Sequence, residues 1–224
     1  MKQLIGSIIF VALLFTSCES ENSSDVNQDR IYAVYTLIYD ADEDLTNANA
    51  RFHFGNPIGT PLKLTPPSYV ELNNTKLLFK NTFAFYKKSF DKKILNGTFC
   101  WKDVDGEKYY NSVSLKEVSF PSGLTEISND RSFELEWIGP AIGRNQSVSL
   151  EIDGDYGTEH SYITEDARGS RSIFIPKSVL RNFTKNRKAT FRIEFVNNPD
   201  LDEPTSAGGR ISGTYRVSKE IMIL

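Results

Sequence analysis

The chain has little of the residues on which most site chemistry depends. Its 224 residues include two cysteines, two histidines, two methionines and two tryptophans. The cysteines are Cys18 and Cys100, too few for a framework of internal disulfides, so stability has to come from core packing. Zinc sites and Ser-His-Asp triads commonly draw on histidine, and His53 and His160 are the whole supply. His53 lies between Phe52 and Phe54 in an alternating stretch, which turns it away from those two rings toward a strand surface. His160 lies in the loop-like Thr158-Glu159-His160-Ser161, within reach of carboxylates. No stretch resembles a glycine-rich phosphate loop, a GxSxG elbow or an HExxH helix. A membrane-spanning helix needs about 20 apolar residues, whereas the run 4–15 is twelve residues long with Gly6 and Ser7 among them. A net charge of −3 gives no bulk attraction to nucleic acid. These absences point away from an enzyme and from any cofactor.

What is present is material for β-structure. Fifteen Phe and ten Tyr are generous core-forming residues, since each buried aromatic removes roughly 150–250 Å² from water. Residues 31–39 (IYAVYTLIY) are β-branched and aromatic throughout, and residues 48–54 (ANARFHF) alternate, so both read as strands. Shorter strands are expected at 62–64, 69–72, 76–79 and 83–90, with Pro66-Pro67 interrupting the ladder. Residues 98–103 and 108–115 read as a hairpin closed at Asp105-Gly106, because Asp-Gly suits a type I′ turn. A join falls near residues 118–123. Beyond it, strands are expected at 132–138, 147–152, 162–164, 172–175 and 190–196. A short helix is expected over 176–183 with proline at its first position. Residues 197–210 form a loop, and 211–217 with 219–224 close the chain as one long or bent strand.

Many short strands separated by turn signals predict an all-β chain of antiparallel sandwiches. Each half offers two alternating strands, then a strand running into Pro-x-Ser (64–70 and 174–179), then an aromatic strand (83–85 and 191–193). In this strand pattern the chain resembles two successive immunoglobulin-like domains, although the Cys–Trp–Cys signature of antibody domains is missing. The expected division is 30–119 for the first sandwich and 120–224 for the second.

The N-terminal stretch reads as an address. Lys2 precedes the apolar residues 4–15, and Phe15, Thr16 and Ser17 lead to Cys18, the layout of a secretory signal. A cysteine at that point resembles the lipobox of bacterial lipoproteins. The resemblance implies a signal peptide over 1–17, lipidation of Cys18 and attachment to the membrane through that lipid. Residues 18–29, rich in Glu, Asp, Ser and Asn, read as an acidic flexible tether. Five Asn-x-Ser/Thr sequons, at Asn22, Asn73, Asn96, Asn145 and Asn182, then reflect composition.

Several clusters could carry chemistry. Asp40, Asp42 and Asp44 are spaced like the first calcium-loop ligands, but Leu45 stands at the glycine position and Arg51 at the twelfth. An irregular calcium site and a solvated turn both stay open there. Lys80, Lys87, Lys88, Lys92 and Lys93 form one basic group. A second runs from Arg168 to Arg192. Each suits either an anionic polymer or edge-strand protection. Trp101, Tyr109 and Tyr110 near the Asp105-Gly106 turn suit either a sugar-binding strip or core.

The expected function is that of a non-enzymatic cell-envelope lipoprotein in the outer membrane. It would act as a binding or adhesion module for a glycan or an envelope protein. An assembly accessory docking through a sheet face or edge is the alternative. A hydrolase using carboxylates among Asp103, Glu107, Asp153 and Glu159 is a third reading.

Overall fold

A computed structural model describes residues 20–155 and 157–224. The expected signal peptide over residues 1–17 and the expected lipidation site Cys18 lie outside the described residues. Among the described residues, seventeen strands, three short 3-10 turns and one α-helical turn follow in chain order. The first half contains β1 (Glu21–Asn22), β2 (Ile31–Asp40), β3 (Leu45–Phe54), β4 (Leu62–Lys63) and β5 (Tyr69–Leu72). It continues with β6 (Thr75–Lys76), β7 (Leu78–Lys80), β8 (Phe85–Phe90), β9 (Asn96–Lys102) and β10 (Lys108–Ser114). The second half adds β11 (Glu126–Ile127), β12 (Phe133–Glu136), β13 (Gln146–Asp153), β14 (His160–Glu165) and β15 (Ser172–Ile175). After these come α1 (Lys177–Leu180), β16 (Arg187–Asn197) and β17 (Gly209–Ile223). The chain is all-β, as its alternation predicts.

One sheet runs through both halves in the order β14-β13-β16-β17-β2-β3-β8-β7, with β11 beside the end of β17. Two smaller sheets cover one of its faces. The four-stranded sheet β10-β9-β5-β6 lies over the first half and the β12-β15 pair over the second. In the first half Tyr35 stacks on Phe99 at 5.0 Å and Phe52 packs against Trp101 at 5.1 Å, joining β2 and β3 to β9. In the second, Leu150, Phe191, Ile193 and Phe195 face Leu135, Ile173, Ile175 and Leu180 within one buried cluster. Truncating a buried aromatic such as Trp101 to alanine typically costs about 3–5 kcal/mol.

At the expected boundary, 119/120, Ser119 exchanges both backbone hydrogen bonds with Ile138 and the turn follows at residues 122–123, so hydrogen bonding does not stop at the join. Gly209–Arg216 pairs in parallel with Ala33–Asp40, while Gly213–Ile223 pairs antiparallel with β16. The 15-residue β17 is therefore an edge to one sandwich and a central strand to the other. It reads as one strand because its inward side chains keep the two-residue period: Ile211, Tyr215, Ile221 and Ile223 are all buried. At Gly213 a Cβ would lie 2.7 Å from Leu115 and 2.8 Å from Val113, so glycine lets the first sandwich's cover close onto the shared strand.

Three local expectations are corrected. The acidic segment is fastened to the body from Glu21 onward. β1 pairs with β4, Ser23 is buried, and the buried Gln28 side chain donates to the carbonyls of Ser23 and Val26 at 2.6 and 2.8 Å. The β9–β10 connection is not a two-residue I′ turn, since that needs positive φ at both central residues and Gly106 alone has it. Five residues connect Lys102 to Lys108 instead, closed by Asp103 accepting from the Glu107 backbone N–H at 2.9 Å. The helix is a single turn, with Pro176 as its extended cap and not its first helical residue.

Candidate functional site

Among the described residues no layer covers the outer face of the long sheet, so alternation decides what lies on it. Strand β2 presents Tyr32, Val34, Thr36, Ile38 and Asp40; β3 presents Asn47, Asn49, Arg51 and His53; β17 presents Arg210, Ser212, Thr214 and Arg216. Register then places Arg210, Val34 and Arg51 side by side across three strands, and Ser212, Thr36, Asn49 and Lys87 across four. Neighbouring strands are about 4.8 Å apart, which sets the Arg210 and Arg51 backbones about 10 Å apart.

Two adjoining depressions of about 650 and 500 Å³ follow these rows. They share Thr36 and Arg210 and so form one groove. One end is walled by Asn198, Pro199, Asp200, Leu201 and Pro204, from the loop that leaves β16. The other end is lined by Pro57, Phe85, Lys87 and His53. The loop wall is fixed by bonds to distant strands. Asp202 accepts from the Ser112 backbone N–H at 2.8 Å, and Glu203 accepts from that of Tyr110 at 2.6 Å. Thr205 donates to the Ile31 carbonyl at 2.8 Å, and Ser206 donates to the Asp29 carboxylate and carbonyl.

Charge divides the face. In the second half, Arg192 meets Glu151 at 2.9 Å, and Arg216 meets Glu194 at 2.6 Å and Asp40 at 3.6 Å. In the groove, Arg51, Lys87 and Arg210 have no carboxylate within salt-bridge distance among the described residues. The Arg51 guanidinium lies over the Phe85 ring, 5.5 Å from its centroid, which fixes its plane while leaving its N–H edge available. Asn49 donates to the Thr36 hydroxyl at 3.2 Å. His53 bonds through Nδ1 to the Gly59 carbonyl at 3.1 Å, so Nδ1 carries the proton and Nε2 is left over.

The residues singled out in the sequence are distributed elsewhere. Trp101 is 0% exposed, stacks on Tyr109 at 4.8 Å and donates its indole N–H to Ser68 at 3.3 Å, so it is core and not a surface grip. Tyr109 is half-buried against it, and Tyr110, 43% exposed, points the other way along β10. Asp40, Asp42 and Asp44 do not converge. Asp40 faces Arg216, Asp42 accepts from the Ser218 backbone N–H, and Asp44 accepts from the Tyr39 hydroxyl at 2.8 Å.

Asp103 is buried in its turn, Asp153 holds His160 and Glu159 accepts from Thr184. Among the described residues, Glu151, Asp153 and His160 are the three metal-capable side chains whose donor atoms lie within 4.8 Å of one another. Glu151 is engaged there by Arg192, and the His160 ring bonds to Asp153 at 2.7 Å, which raises its pKa.

The basic sequence clusters also separate. Lys93, Lys185 and Lys188 are each paired at 2.7 Å with Glu117, Asp130 and Glu220, and only Lys87 of the first cluster lines the groove. Arg51 and Arg210, the two arginines of the groove, belong to neither run. Alternation shows Arg51 and His53 on one strand face, but the β17–β2 pairing that adds Arg210 joins opposite ends of the chain.

No family model matches the chain, and no curated protein matches it. A solved structure concerning host cell surface retention of a 1.5-MDa bacterial ice-binding adhesin aligns over 88% of this chain at 10% identity, with a TM-score of 0.27. This chain spans 66% of the length of that one, and at this score the likeness bears on no functional question.

Proposed function

We propose that the chain is a non-enzymatic binding module of the cell envelope, anchored by lipid on Cys18 in the outer membrane. The groove on the outer face of its shared sheet is the binding surface. One observation carries this reading: Arg51, Lys87 and Arg210, three cations with no carboxylate within salt-bridge distance among the described residues, line one walled groove, whereas Arg192 and Arg216 on the same face are paired. The neighbouring Arg192 and Arg216 show how readily this face supplies carboxylates. The anchor hypothesis is motivated by Lys2, the apolar residues 4–15 and Cys18.

Co-sedimentation of the full chain carrying Cys18→Ala with insoluble envelope and surface polymer from the producing cells tests the groove. Sedimentation is expected for this chain and is lost when Arg51→Glu and Arg210→Glu are added. Equal sedimentation of both chains removes the groove from the function.

A further inference from the structure

We propose that the groove takes an extended saccharide chain bearing carboxylate or sulfate groups. This rests on the reading of the groove as the binding surface and adds the chemistry of its occupant. Charge comes first: the depression around Arg51 is lined by Arg51, Lys87 and Arg210 with no carboxylate among its lining residues, and Asp200 is the carboxylate lining the adjoining one. Planar guanidinium groups match carboxylate and sulfate oxygens two at a time, more closely than an ammonium does. Spacing comes next, because Arg210 and Arg51 flank Val34 about 10 Å apart, which asks for charges repeated along a ligand and not one small anion.

Val34 lies between the two arginines, and the row beside it is uncharged and polar across β17, β2 and β3. Thr36, Asn49 and Ser212 offer hydroxyl and amide groups of the kind that exchange hydrogen bonds with sugar hydroxyls. Length is the third point, since two joined depressions exceed what a single sugar fills. A single-stranded nucleic acid fits less well. Such sites rely on aromatic faces on which bases stack, and the aromatic ring lining the groove, Phe85, has its face occupied by Arg51.

The test uses the detergent-purified full chain with dextran sulfate, polygalacturonate, unmodified dextran and oligo(dT) as probes in titration calorimetry. Dextran sulfate and polygalacturonate are expected to bind, with affinity falling as salt rises, and dextran is expected not to bind. Arg51→Ala with Arg210→Ala should weaken both polyanions at least about tenfold, as loss of two charge-assisted contacts implies. Lys185→Ala with Lys188→Ala, an equal charge change outside the groove, should leave affinity within about twofold, as expected for exposed charges outside the contact. Lys87→Ala gives a second groove variant, expected to weaken binding in the same direction.

Dextran binding as tightly as dextran sulfate, with loss in the Arg51/Arg210 variant, overturns the anionic class and keeps the groove. Equal weakening by the Lys185/Lys188 variant, or none by either groove variant, overturns both. Tighter binding of oligo(dT) than of either polysaccharide overturns the proposal in favour of nucleic acid. Absence of binding to all four probes overturns it outright.

Discussion

The Glu203 carboxylate accepts the Tyr110 backbone N–H at 2.6 Å across 93 residues of sequence, and Asp202 does the same for Ser112 at 2.8 Å. Tyr110 and Ser112 lie on β10, an edge strand of the smaller sheet. Two side chains of the 198–204 loop thus occupy donors that would otherwise template pairing with another chain, and the same contacts hold up the wall of the groove.

Asp202→Ala with Glu203→Ala is therefore expected to lose about 1–3 kcal/mol, the range for charge-assisted hydrogen bonds at a partly wet edge. It should also gain concentration-dependent self-association. Chemical denaturation and sedimentation velocity check the two effects. An unchanged midpoint with a monodisperse variant would show that the loop does not guard this edge.

Gly213 is where the cover of the first sandwich meets the shared strand, with Val113 and Leu115 within 3 Å of where a Cβ would stand. Gly213→Val is expected to destabilise by about 1–3 kcal/mol through overpacking. It should do so without changing the charge of the groove. A melt that matches the parent chain would mean the two layers are looser than the geometry states.

Strand β17 hydrogen-bonds to β2 on one side and β16 on the other over Gly213–Arg216. Neither half can lose this strand without exposing the other, so calorimetry should give one cooperative transition. Two resolved transitions, or two stable fragments after cleavage near residues 121–123, would contradict the shared-strand account.

His160 is exposed, and its pKa is raised chiefly by the hydrogen bond to Asp153. A group whose pKa is higher folded than unfolded adds stability that is complete below its unfolded value, near 6.5, and lost as pH rises through its folded value. Glu151 and Arg192 share this cluster. The melting temperature should fall slightly as pH is raised from 6 to 9, and the His160→Gln chain should lack that component. Parallel profiles for the two chains would show that the His160–Asp153 bond is not formed in solution.

Much of the fold was legible in local pattern. The β-branched residues of β2, the alternation Asn47-Ala48-Asn49-Ala50-Arg51-Phe52-His53 in β3 and the proline-marked ends announce themselves within a few residues. The groove was not legible, because its members come from β2, β3, β8, β17 and the 198–204 loop, and the β17–β2 register is set by tertiary packing of chain ends. Trp101 was ambiguous for a related reason. Alternation says that Trp101 and Cys100 point opposite ways, and only the stacking of Phe99 on Tyr35 and of Trp101 on Tyr109 shows which side is the core. Runs of lysine and arginine misdirect in turn, since cross-strand carboxylates such as Glu220 and Glu151 neutralise them in three dimensions.

The most direct test of the central claim is amide hydrogen exchange on the full chain with and without dextran sulfate. The account predicts slowed exchange in the groove, in the middle of β2 around Thr36, near the end of β3 around Arg51, near the start of β17 around Ser212, and in the 198–204 loop. It predicts no change around Phe174 on β15 or Tyr162 on β14, which are exposed but lie in the other half. Protection confined to β14 or β15, with the groove unchanged, would contradict it.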